Sequence, residues 1–87
     1  MLKVTHRDLI DSALAEVDTL DVDDAVALLE DDDTVFVDLR DPRELEREGK
    51  VPNAFHAPRG MLEFWVDPTS PYYRKQFDDA ESLILYC

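Results

Sequence analysis

A chain of 87 residues with 45% apolar side chains suits one small domain, residues 1–87, near the lower size limit for a stable core, and excludes a disordered polymer. Acidic residues outnumber basic ones 21 to 9, for a net charge of −12. Charge of that sign repels nucleic acid and anionic membranes, so neither is expected as a partner.

No apolar stretch approaches the ~20 residues that a membrane-spanning helix needs. Met1–Arg7 is short and mixed and does not read as a leader. The lone cysteine rules out an internal disulfide, which fits a reducing, cytoplasmic setting. Thr5 followed by Asp8 predicts a capped helix start, and Leu9, Ile10, Ala13, Leu14 and Val17 then recur at helical spacing. Asp21 with Asp24 repeats the device ahead of Ala25, Val26, Leu28 and Leu29, and Asp31-Asp32-Asp33 closes that helix. The three aspartates lack the alternating spacing of a calcium loop and are read as a solvated turn.

Thr34–Leu39 is β-branched and apolar and predicts a buried strand. Asp41-Pro42-Arg43-Glu44 places Asp at an N-cap and Pro at the first helical position, and Gly49 is placed to end that helix. A turn at Val51–Ala54 leads to a short extended piece at Phe55–Ala57. Gly60–Val66 predicts one or two helical turns in which Phe64 and Trp65 pack into the core. Tyr72–Phe77 predicts another short helix, and Leu83–Cys87 a last buried strand. Helices alternating with buried strands predict an α/β domain with a parallel sheet. Parallel strands share their carboxyl edge, so the ends after Leu39 and Tyr86 bring Asp38, Arg40 and Cys87 to one region, the edge where open α/β sheets hold ligands. On chemistry alone Cys87 is either a reactive thiol or an inert strand cysteine. His6 and His56 are too far apart in sequence to suggest a metal site.

Taken in order, V-F-V-D-L-R-D-P-R-E-L (Val35–Leu45), E-G-K-V-P-N-A (Glu48–Ala54), H-A-P-R-G (His56–Gly60) and the final L-I-L-Y-C resemble the rhodanese-like domain family of sulfurtransferases. Ala57–Tyr73 is similar to a single-domain bacterial subgroup. Lys50 and Asn53 depart from the family's usual His and Gly, and Asn can still take a left-handed turn position. The resemblance implies a rhodanese-like parallel sheet flanked by helices. It also implies a Cys87 nucleophile that forms a persulfide, a small-molecule sulfur donor such as thiosulfate, a thiol or cyanide acceptor, and no cofactor or metal. Arg40 and Arg59 are the candidate donor-binding residues, with Asp38 and Glu44 in structural support. For Arg40 the favoured reading is a structural ion pair with Glu44, four residues on. Asp38 is expected to anchor backbone N–H groups. Two other functions stay open, a non-catalytic rhodanese-like binding module and a Cys-dependent phosphatase or arsenate-reductase relative.

In that family the cysteine is followed by a loop of backbone N–H groups leading into a helix. The sequence as read stops at Cys87, so it is expected to be a fragment or a cut record. A chain ending physically there is expected to be inactive, because the α-carboxylate would raise the thiol pKa and repel an anionic donor.

Overall fold

The computed structural model describes residues 3–87. Met1 and Leu2, which begin the segment read as mixed and leaderless, lie outside the described residues. Helix α1 (His6–Glu16) opens with the predicted capping box. Thr5 Oγ1 accepts from the Asp8 N–H at 3.2 Å, and Asp8 Oδ2 accepts from the Thr5 N–H at 3.0 Å. Its apolar stripe is largely exposed, 63% at Leu9 and 53% at Leu14. Helix α2 (Val22–Val26) has a one-sided cap in which Asp21 Oδ1 accepts from the Asp24 N–H at 2.9 Å. It ends before Leu28 and Leu29, which fall in hydrogen-bonded turns instead. Asp31 then folds its carboxylate back onto the Asp33 N–H and the Thr34 hydroxyl, at 3.1 and 3.0 Å, so the aspartate run is a turn.

Strand β1 (Thr34–Asp38) is the centre of the sheet. Helix α3 (Pro42–Glu48) follows as predicted, with Asp41 at the N-cap and Gly49 at the C-cap. Gly49 has φ 78°, a left-handed conformation that glycine adopts without Cβ strain. Asn53, at φ 64°, is also at positive φ in the next turn, as its short polar side chain permits. Strand β2 (Phe55–His56) is followed by a 3₁₀ turn (Arg59–Met61) and helix α4 (Leu62–Val66). The helix predicted over Tyr72–Phe77 forms later, as α5 (Gln76–Asp79). Ser70 captures the N–H groups of Tyr72 (through Oγ, 3.1 Å) and Tyr73 (through its carbonyl, 3.3 Å), and these bonds make a turn after Pro71. Strand β3 (Ser82–Tyr86) completes the fold.

Strand order is β2-β1-β3, and both pairs are parallel. The register sets Asp38 opposite His56 on one side and opposite Tyr86 on the other. One face of the sheet carries the core, where Val37, Ala57 and Phe77 pack with Val35, Leu39, Leu83 and Trp65. Phe55 meets Trp65 and Phe77 edge-on, with centroids 6.0 and 5.0 Å apart. Burying a side chain such as Phe77 contributes about 1.5–3 kcal/mol. Phe64 departs from its expected core position; it is half exposed and pairs with Tyr72. The other face turns Phe36, Ile84 and Tyr86 towards Val22, Val26 and Leu29, leaving an open apolar groove of about 260 Å³.

Candidate functional site

Parallel pairing fixes what meets at the carboxyl edge. Because Asp38 is level with Tyr86, the residue after β3, Cys87, is level with the chain leaving β1 at Leu39. The Leu39 N–H donates to the Tyr86 carbonyl at 3.0 Å, which extends the ladder to the base of Cys87. Cys87 is a free, exposed cysteine just past the strand end. An exposed thiol at such an edge can reach a ligand, which a strand-buried cysteine cannot.

Beside it lies a buried ion pair. Asp38 is the largest buried polar side chain, with 0% exposure. It accepts the Arg40 N–H at 2.9 Å and takes the guanidinium in a fork, from Nε at 3.0 Å and from Nη2 at 2.8 Å. Arg40 Nη2 also donates to the Gly49 carbonyl at 2.8 Å, and Nη1 lies 3.8 Å from Glu48. The Tyr86 ring sits 5.7 Å from the guanidinium carbon, and the Tyr86 hydroxyl accepts the Val51 N–H at 3.2 Å. The Arg40 hydrogen bonds hold the Asp38 carboxyl far below the usual carboxylate range, against the upward push of burial. The same pair raises Arg40 above its already high value. Burial pushes the Tyr86 phenol up.

The predicted partner of Arg40 is therefore corrected. It is Asp38, two residues earlier, and Glu44 is not its ion-pair partner. Helical spacing suggested Glu44, but Arg40 precedes the helix, and its side chain turns back under the strand end where a buried carboxylate and the Gly49 carbonyl wait. Glu44 lies in the first turn of α3, where its backbone N–H donates to the Asp41 carbonyl at 2.9 Å. Asp38 accepts a backbone N–H as expected, and the guanidinium as well.

Arg59 is 65% exposed and paired with Glu63 one helical turn on. It follows β2, on the opposite side of β1 from Cys87. Both candidate donor-binding arginines thus already hold carboxylates, Arg40 under the strand end and Arg59 on the surface. Among the described residues, no three His, Cys, Asp or Glu side chains converge as metal ligands would.

Two residues at this edge escaped sequence reasoning. Tyr86 was read only as part of a strand, yet it contributes a ring and a hydroxyl to the Arg40 site. His56, half-buried, sets Nε2 2.7 Å from the Arg40 carbonyl. A carbonyl only accepts, so Nε2 carries the proton. The signal for both was the parallel register, which puts the ends of three strands level.

Asp41 anchors the same segment. Its carboxylate accepts the Arg43 N–H at 2.8 Å and holds the Arg43 side chain, which lowers its pKa to about 2. That ion pair is exposed and adds little to stability, whereas the cap satisfies a helix donor. Asp41→Ala is expected to lower the melting midpoint by roughly 5 °C, followed by circular dichroism.

Comparison with solved structures finds a protein of unknown function, possible tyrosine phosphatase, from Rhodopseudomonas palustris CGA009. It is 43% identical, with a TM-score of 0.92, over all of this chain and 67% of that one. Comparison with curated proteins finds no match. The family model for the rhodanese-like domain matches residues 21–87, from the N-cap of α2 through the parallel sheet to Cys87. With that match spanning most of the chain, and with the parallel three-stranded sheet ending at a free thiol, this chain belongs to the rhodanese-like domain family.

Proposed function

We propose that the intact domain to which residues 1–87 belong is a sulfurtransferase that carries a sulfane sulfur on Cys87. Activity assays are read on that domain. The observation that supports this reading is the free, exposed cysteine at the carboxyl edge of a parallel sheet in a chain of this family. Ordinary thiols have a pKa of about 8.5, and the thiolate is the attacking form. The Cys87 thiolate attacks the outer sulfur of a donor such as thiosulfate. A new S–S bond forms as the donor S–S bond breaks, and the leaving electron pair departs on sulfite. An acceptor thiolate or cyanide then attacks the terminal sulfur of the persulfide, and the electron pair returns to Cys87 as thiolate. In this scheme Asp38 and Arg40 form the rigid floor of the site, and no metal or cofactor takes part.

A second reading has one observation in its favour. The solved structure 43% identical to this chain is described as a possible tyrosine phosphatase. There Cys87 would attack phosphorus and carry a phosphoryl group instead of sulfur. One experiment separates the two. The protein is incubated with thiosulfate or with para-nitrophenyl phosphate, and intact mass and product release are followed. The sulfurtransferase reading expects one added sulfur atom, removed by a reducing thiol, with no phenol released. Phenol release without an added sulfur would replace it with the phosphatase reading.

A further inference from the structure

We infer that His56 is a positioning residue for Cys87, acting through the backbone of Arg40. The inference rests on the proposed role of Cys87 as nucleophile. His56 ends β2, and its Nε2–H donates to the Arg40 carbonyl at 2.7 Å. The Arg40 N–H is held by Asp38 at 2.9 Å, and its guanidinium by Asp38 and Gly49. Both main-chain polar groups of Arg40 are thereby tied down, its N–H by Asp38 and its carbonyl by His56, which supplies the tie from the far strand. One residue back, Leu39 donates to the Tyr86 carbonyl at 3.0 Å, immediately before Cys87. The Ala57 N–H donates to the Asp38 carbonyl at 2.9 Å, so the segment leaving β1 is clamped from both sides. A continuous run of bonds therefore links the imidazole to the strand end that carries the thiol. β1 lies between the strand of His56 and β3, so its link to Cys87 runs through the Arg40 backbone.

Loss of the imidazole N–H frees the Arg40 carbonyl, and the strand end gains play. A displacement of about 1 Å at a reacting group can cost up to about 10²-fold in rate. The test compares His56→Gln, whose amide N–H reaches the same acceptor, with His56→Leu and His56→Ala, which have no donor. Three quantities are read on folded protein: kcat and KM for thiosulfate-to-cyanide transfer, the rate of Cys87 alkylation by iodoacetamide across pH, and the melting midpoint. The Leu and Ala variants are expected to lose roughly tenfold or more in kcat with KM within about twofold. Their alkylation profile should shift, and Gln should restore both. Unchanged kcat and alkylation in folded Leu or Ala protein would overturn the inference, as would a change confined to KM. If neither of those variants folds, Gln decides the matter: a wild-type alkylation profile supports the inference, and an altered one overturns it. Absence of sulfur transfer in the wild-type protein would refute the proposed function instead. The alkylation profiles would still report whether His56 sets the environment of Cys87.

Discussion

Cys87→Ser is expected to reduce thiosulfate-to-cyanide transfer by at least about 10³-fold, to the uncatalysed background. The reaction needs an anionic, polarisable nucleophile that can form and break an S–S bond. A serine hydroxyl is neutral at working pH and cannot hold sulfur in a form that a thiol or cyanide removes. The chain has no second cysteine to take over. Because Cys87 is exposed and beyond the strand, the substitution is expected to leave the melting midpoint almost unchanged. Initial rates of thiocyanate formation, together with intact mass after thiosulfate, check both statements. Retention of a tenth or more of the activity with a matching loss of stability would remove Cys87 from the chemistry.

Arg40→Ala is expected to lower the melting midpoint on the order of 15 °C while sparing most of the turnover per folded molecule. The Asp38 carboxylate has no exposure, and the guanidinium satisfies both of its oxygens. Removal of the arginine strands a buried charge, the most costly way to break such a pair. Arg40→Lys should recover only part of the loss, since an ammonium cannot reproduce the fork to Asp38 and the bond to Gly49 together. Pairing the change with Asp38→Asn should cost less than the two single losses added, because the stranded charge is gone.

The pH dependence follows from the sign of the Asp38 shift. Its folded pKa lies below its unfolded value of about 3.9, so its stabilisation is fully present above that pH and is lost as pH falls towards the folded pKa. In Arg40→Ala the main cause of the lowering is gone and burial pushes the carboxyl up. The stability gap between wild type and variant should therefore narrow as pH falls through roughly 5 to 2. A large loss of turnover with an unchanged midpoint would instead put Arg40 in contact with the donor.

Local chemistry carried much of the fold into the sequence. Thr5 and Asp8, Asp41 and Pro42, and Gly49 act within one helical turn, and each does in the structure what its type and spacing predict. The β-branched run Thr34–Asp38 could be recognised for the same reason, and the placement of Cys87 beside Leu39 followed from assuming parallel strands. What failed was partner choice across space. Arg40 had three carboxylates within four residues, Asp38, Asp41 and Glu44. The sequence does not say that Asp38 is the one buried and facing it. Tyr72 and Tyr73 look helical until Ser70 competes for their N–H groups. His56 was weighed as a metal ligand and dismissed. Its actual bond, to a main-chain carbonyl, is made by backbone that carries no sequence signature.

Helix α1 buries none of its eleven residues, and its backbone bonds are sustained by its own turns and the Thr5 cap. Helices of that length are marginal in water when nothing packs against them. In residues 1–87 by themselves its amides should therefore open independently of the sheet and take up deuterium within seconds, while the amides of Phe36, Val37 and Asp38 wait for global unfolding. Such a chain behaves as two cooperative units with separate opening free energies. A protease that needs a locally melted segment should cut first between His6 and Glu16, and should leave the strands that flank Cys87 intact.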